Sequence, residues 1–361
     1  MTVKAKKVRL FILWFFLCSF YVIAIENNSI EQVEESLTNK LQDKKIRKKK
    51  RRLSKKRKKR RKPKGRSKGA RIRKNRRKWR NLRVKLGENI FSDLEEKRMI
   101  VLITSYNNAQ WYKKNLDSVF NQTYKNYYVI YIDDCSPDGT GQLVENYIKE
   151  RGLEDKVLLI RNEERVYKLA NQYYAIHERC KDHDIVLELD GDDWFPNKHV
   201  LTYLNKVYSN PGVWLTYGTY TCYPSGEDGY SRVPWIIYVK RNQFREKGFF
   251  YTGLRTYYAG LFKLIKKEDL IYNGEDEEFQ GKFYPISSDF AIIYPMLELS
   301  RYNHFRFIRD SLLIVNRDRG ASFYSDRMYR VLCEINADVK SKSRYSSLEK
   351  PSWDMGLAID S

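Results

Sequence analysis

The first half of the ordered chain alternates short apolar runs with stretches whose apolar residues recur at helical spacing. The runs cover 99–103, 127–132, 157–160 and 184–189, and their continuity predicts buried parallel strands. Helix patterns lie between them, over about 111–121, 140–150 and 166–180; Trp111, Leu116, Val119 and Phe120 mark the apolar side of the first. This spacing predicts an α/β domain on a Rossmann-like, mostly parallel sheet flanked by helices. Ligands of such sheets gather at the carboxyl ends of the strands.

Beyond residue 196 the pattern is irregular. A strand is predicted over 213–220, a Gly/Pro/Ser turn over 223–229, an aromatic-rich stretch over 244–267 and an acidic loop over 273–281. An amphipathic helix follows at 290–301, then strands at 305–308 and 312–315, and a frayed polar tail after 341.

The carboxyl end of the fourth run carries Asp190-Gly191-Asp192-Asp193. Carboxylates packed this densely repel one another unless a cation shares them. Two readings stand: a metal–diphosphate site of the Mg²⁺ type, or an Asp-rich turn capping a helix that starts near Pro196.

Charge at first suggests a nucleic-acid binder, since the 361 residues carry a formal +24. Its location changes that picture. Lys44 to Lys85 holds 28 Lys or Arg and no acid, so removing those 28 from the +24 leaves −4 for the rest. An arm of this composition cannot bury apolar area, and it suits contact with anionic lipid, glycan or nucleic acid. The five cysteines show no CxxC spacing, which argues against a zinc site or a disulfide framework.

Lys4, Lys6, Lys7 and Arg9 precede an apolar run from Leu10 to Ile25, followed by Glu26, Glu31, Glu34 and Glu35. That pattern fits a signal peptide or an uncleaved signal anchor, with the body in the secretory pathway or cell envelope, on the non-cytoplasmic face. The expected layout is a leader over 1–25, a basic spacer over 26–95, a domain over 96–340 and a tail over 341–361. Within the domain, 96–196 is the nucleotide half and 197–340 the acceptor half.

Asp133 and Asp134, at the end of the second strand, are placed to accept hydrogen bonds from a base or ribose. Thr104 and Tyr106 stand beside them, Tyr106 able to stack. Arg165 and Lys168 lie where a helix start meets phosphate, or else simply face water. Asp289, after Ser287-Ser288, reads either as a base for an incoming hydroxyl or as a helix N-cap. Trp235, Tyr251, Tyr257 and Tyr258 suit sugar stacking or ordinary core packing.

Three segments together, Ile103-Thr104-Ser105-Tyr106-Asn107, the stretch from Leu116 to Asn126 and the stretch from Ile130 to Thr140, resemble the start of family 2 glycosyltransferases of the GT-A fold. Leu189 to Pro196 is similar to their DxD segment. The resemblance implies inverting transfer of a sugar from a nucleotide-diphosphate donor to a hydroxyl acceptor on a glycan, lipid or protein. It also implies Mn²⁺ or Mg²⁺ on the DxD aspartates, nucleoside contacts at Thr104, Tyr106 and Asp134, and Asp289 as the base. The donor site expected from residues and resemblance comprises Thr104, Tyr106, Asp133, Asp134, Arg165, Lys168, Asp190 and Asp192, with metal on Asp192 and Asp193. There is no QxxRW signature, and Cys135 replaces the usual Gly before Ser136. The competing readings are a polyanion-binding protein with an inert body of this fold, and a nucleotidyltransferase. The latter usually needs a Gly-rich phosphate loop, and 104–108 contains no Gly.

Overall fold

Seven strands form the central sheet, in the order β3-β2-β1-β4-β7-β5-β8. In a computed structural model the described residues are 94–246, 248–300, 304–318, 325–351 and 353. The expectations for the leader and the basic arm fall outside them. Among the described residues no helix is long and apolar enough to cross a membrane.

The first half follows the apolar pattern closely. β1 (Met99–Ser105), α1 (Tyr112–Phe120), β2 (Tyr127–Asp133), α2 (Thr140–Glu150), β3 (Val157–Arg161), α3 (Tyr167–Arg179) and β4 (Ile185–Asp190) succeed one another. β1 pairs parallel with β2 and β4, and β2 with β3. Both faces of β1 are covered, so Met99 to Ile103 are buried without alternation. This is the mostly parallel α/β architecture that the pattern predicts.

The second half departs from it. α4 (Val200–Tyr208) begins later than the predicted start near Pro196. β5 (Leu215–Gly218) and β6 (Thr221–Tyr223) follow, then the single turn α5 (Ile236–Lys240). β7 (Thr256–Tyr258) is short and inserts antiparallel between β4 and β5. α6 (Ala259–Lys263), α7 (Ser288–Leu299), β8 (Phe305–Ile308), β9 (Ile314–Asn316) and α8 (Asp326–Ser341) complete the chain. β6 and β9 make a separate two-stranded sheet.

Two expectations are corrected. The helix predicted as amphipathic, α7, is buried on every side from Ala291 to Leu299, so it is a central helix and not a surface one. The tail predicted to fray is docked in its described part. Tyr345 N donates to Glu298 Oε2 at 3.0 Å, Leu348 N to Leu299 O at 2.9 Å, and Trp353 packs on Trp214 and Tyr258.

A buried ion pair holds α7 to the elements around it. Arg245 Nε and Nη2 donate to Glu298 Oε1 and Oε2 at 2.6 and 2.7 Å, and Arg245 Nη1 donates to Val339 O at 2.7 Å. Their side chains are 4% and 0% exposed. Removing one partner strands a charge in the core, which costs about 3–5 kcal/mol. Glu298→Ala is therefore expected to lower stability by that amount in denaturant titration. The double replacement Arg245→Met with Glu298→Leu recovers most of the loss.

Candidate functional site

Register brings the candidate residues to one edge. Thr104 of β1 lies opposite Asp190 of β4, and Ser105 opposite Asp133 of β2. Strand order reverses between β1 and β4, the switch point where a sheet of this kind opens a crevice. Gly191 N donates to Thr104 O at 3.0 Å. A Cβ on Gly191 would come within 2.5 Å of Ser105 Oγ and 2.6 Å of Asn108 Nδ2, so the turn needs glycine here. Asn115 Nδ2 then secures the turn from α1, donating to Asp190 O and Asp193 O at 3.0 and 2.8 Å.

The centre of the crevice is a chain of charges. Lys168 Nζ donates to Asp190 Oδ1 at 2.6 Å and stands 3.7 Å from Asp289 Oδ1. On the far side of Asp289, Arg255 Nη2 donates to the same Oδ1 at 2.6 Å. Arg255 Nε donates in turn to Glu188 Oε2 at 3.0 Å, and the Tyr257 hydroxyl donates to Glu188 Oε1 at 2.8 Å. Arg255 and Glu188 are buried, whereas Asp289 and Asp190 keep 37% and 44% of their side-chain surface exposed. Burial works against the Lys168 charge, but Asp190 and Asp289 outweigh it and its pKa is raised. Burial likewise opposes ionisation of Asp289, yet Arg255 and Lys168 outweigh it and its pKa is lowered. Asp289 lies inside the first turn of α7, and Ser287 holds the cap position, so Asp289 is not the N-cap.

The predicted nucleoside side is built differently from the expectation. Asp134 is buried, and its carboxylate is taken up by the protein's own N–H groups. Asn162 Nδ2 and Val166 N donate to Oδ1 at 2.8 and 3.0 Å, and Tyr167 N to Oδ2 at 2.9 Å. Asp134 thereby fixes the start of α3, from which Arg165 and Lys168 project. The Arg165 guanidinium lies over the Tyr106 ring, 3.7 Å from its centroid. Asp133 is buried beneath α2; Ser136 N reaches its Oδ2 at 3.4 Å, and burial raises its pKa. Thr104 is half-buried at the crevice edge.

Asp193 points inward. Its Oδ1 accepts from Asn316 N of β9 at 2.8 Å. Burial, with the negative Asp190 and Asp192 beside it, holds its carboxyl well above the ordinary carboxylate range. Such crowding is relieved by a cation. Among the described residues, no three His, Cys, Asp or Glu groups form a metal cage. One or two carboxylates, with water and substrate phosphate completing the shell, is the usual Mg²⁺-type arrangement. The donor set fits an ion shared with a diphosphate, held from the partly exposed Asp190 and Asp192.

Backbone strain collects at this edge. Asn107, Cys135, Tyr167 and Ser287 all take positive φ, between 57° and 68°. Ser287 immediately precedes α7, Tyr167 opens α3, and Asn107 and Cys135 lie two residues beyond the ends of β1 and β2. Non-glycine residues held there cost on the order of 1–2 kcal/mol, a pattern found at functional sites. Cys135 adopts the conformation for which glycine is usual.

Sequence reasoning missed Arg255 and Glu188, and it named Tyr257 without its bond to Glu188. Glu188 did leave a signal, as the one acid inside an otherwise apolar strand, a charge that requires a buried partner. Of the four aromatic residues named for stacking, Tyr251, Tyr257 and Tyr258 are core, whereas Trp235 is 67% exposed.

Carboxylates and cations thus meet at the switch point of a mostly parallel α/β sheet, the place where ligands of such sheets bind. Residues 100–271 match the family described as Glycosyl transferase family 2. The chain is 22% identical over 222 residues to glycosyltransferase GlyA of Streptococcus pneumoniae, which covers 58% of this chain and 31% of that protein. A second bacterial relative is 30% identical over 105 residues, covering 28% of this chain and 35% of that protein. The chain thus spans about a third of the length of the curated relatives it matches. Among solved structures it is similar to S. aureus TarS residues 1–349 with UDP-GlcNAc, at a TM-score of 0.48 and 18% identity over 72% of this chain and 70% of that one. It is also similar to the Pyrobaculum calidifontis mannosyltransferase PcManGT with GDP-Man and Mn²⁺, at 0.46 and 17% over 69% and 66%.

If Asp134 is an anchor for α3, Asp134→Ala leaves three donors without their acceptor. The expected cost is about 1–3 kcal/mol, with faster amide exchange confined to residues 162–168 in hydrogen–deuterium exchange.

Proposed function

We propose that the protein is a metal-dependent, inverting glycosyltransferase. It moves a hexosyl or N-acetylhexosaminyl group from a nucleotide-diphosphate donor to a hydroxyl of a glycan, lipid or protein. The observation that carries this reading is the sharing of Lys168: one ammonium lies against both Asp190 Oδ1, at 2.6 Å, and Asp289 Oδ1, at 3.7 Å. The carboxylate at the donor end and the carboxylate assigned as base therefore share one ammonium.

In this reading Arg165 and Tyr106 form the stacked wall of the nucleoside pocket, and Lys168 meets the diphosphate. Asp289 accepts the proton of the acceptor hydroxyl as its oxygen bonds to the anomeric carbon, and the bond to the nucleoside diphosphate breaks on the opposite side. A divalent ion on Asp190 and Asp192, when bound, would neutralise charge on the departing diphosphate. Asp193, tied to Asn316, holds the turn that presents them. The leader and arm give the proposal a setting in the secretory pathway or cell envelope.

The test is a screen of nucleotide sugars with the purified full chain in the presence of Mn²⁺. Turnover is expected with at least one donor, lost on chelation and regained with Mn²⁺. Asp289→Asn should lower kcat by about 10²–10⁴-fold while leaving donor binding intact. Absence of both binding and turnover across all donors overturns the reading.

The pH profile follows from the Asp289 surroundings. Its pKa is lowered in the folded chain, so the anion persists above that folded value and is lost as pH falls through it. The acid limb of kcat/KM is expected below about 3.9, the ordinary aspartate value. Arg255→Met removes one of the two cations that oppose burial, and it should move that limb to higher pH.

A further inference from the structure

We propose that the segment from Tyr230 to Arg241 docks on an anionic lipid surface. Tyr230, Val233, Trp235, Ile236 and Ile237 are all exposed, at 53, 48, 67, 48 and 42%. Arg232, Lys240 and Arg241 are exposed among them. No acid occurs between Asp228 and Glu246, and Glu246 is paired with Arg344. Apolar side chains fringed by cations, with aromatic rings at the boundary, match the boundary between headgroups and acyl chains.

The segment is held rather than loose. Ser231 Oγ donates to Phe250 O and Thr252 Oγ1 to Tyr230 O, both at 2.8 Å, and the buried Tyr217 hydroxyl donates to Arg232 O at 3.3 Å. Trp235 stacks on Tyr238 with centroids 5.9 Å apart, and Arg232 lies 3.7 Å above the Phe250 ring. These rings edge a cavity of about 130 Å³ that none of Lys168, Asp190, Arg255 or Asp289 lines.

Charge selects the occupant. A second copy meeting this face through a twofold axis would bring two cationic patches together without an acid between them. A free polyanion would satisfy the cations but leave Val233, Ile236 and Ile237 in water. An anionic bilayer satisfies both sets.

The experiment is hydrogen–deuterium exchange on the full chain, because the basic arm can retain the chain on vesicles whatever this segment does. Vesicles of equal parts phosphatidylcholine and phosphatidylglycerol should slow exchange in residues 230–241, and pure phosphatidylcholine should not. Lys240→Gln should raise the lipid concentration for half-protection about fivefold, the weight of one cation at such a surface. The double variant Ile236→Ser with Ile237→Ser should abolish local protection while the chain still sediments with the vesicles. Unchanged exchange in 230–241 of vesicle-bound protein overturns the proposal. So does protection that grows with protein concentration alone, or that heparin reproduces without lipid.

Discussion

Arg255 holds two carboxylates from different parts of the chain with one guanidinium. Glu188 comes from the middle of β4, Asp289 from the start of α7, and Arg255 itself from the residue before β7. Arg255 and Glu188 are buried, and buried charges tolerate loss of water only if each is paired and hydrogen-bonded. Here Tyr257 adds the donor that Glu188 still needs. The consequence is positional: α7 cannot shift against the sheet without exposing or stranding a charge. Asp289 is thereby held in the middle of the series, between Arg255 and the Lys168–Asp190 pair of the first half.

The first half of the domain supplies its own rigidity. Asp134 spends its carboxylate on the amino end of α3, and Gly191 folds back so closely on β1 that no side chain fits. Asp193 is bound inward to β9. The acidic residues at the strand ends thus divide: Asp133, Asp134 and Asp193 are buried, and Asp190 and Asp192 keep exposed surface. Positive φ at Asn107, Cys135, Tyr167 and Ser287 is the backbone counterpart of this tight construction.

Much of this was legible before any coordinates. The strands and helices up to Asp190 coincide with their apolar pattern to within a residue or two, because strands buried on both faces read as continuous apolar runs. The acidic strand ends were equally plain. The inward turn of Asp134 and Asp193 was not, since a carboxylate facing backbone N–H groups and one facing solvent have the same spelling. α7 was read as amphipathic because its few polar residues suggested a wet side; burial of Glu298 on Arg245 removed that side. β7, three residues long, lies within a stretch rich in aromatic residues and has no period of its own.

By itself, the sequence determined the order of strands and helices in the first half, the carboxyl edge where acids collect, and the separation of a basic arm from a mildly acidic body. These follow from neighbours along the chain, where period and charge are local properties. Only the tertiary structure decided that Asp289 meets Lys168, that Arg255 and Glu188 complete the series, and that Trp235 stays outside while Tyr257 goes in. Those outcomes depend on which distant segments meet, with sequence separations of 34 to 121 residues within this cluster, and pairing of buried charge is settled only when they do.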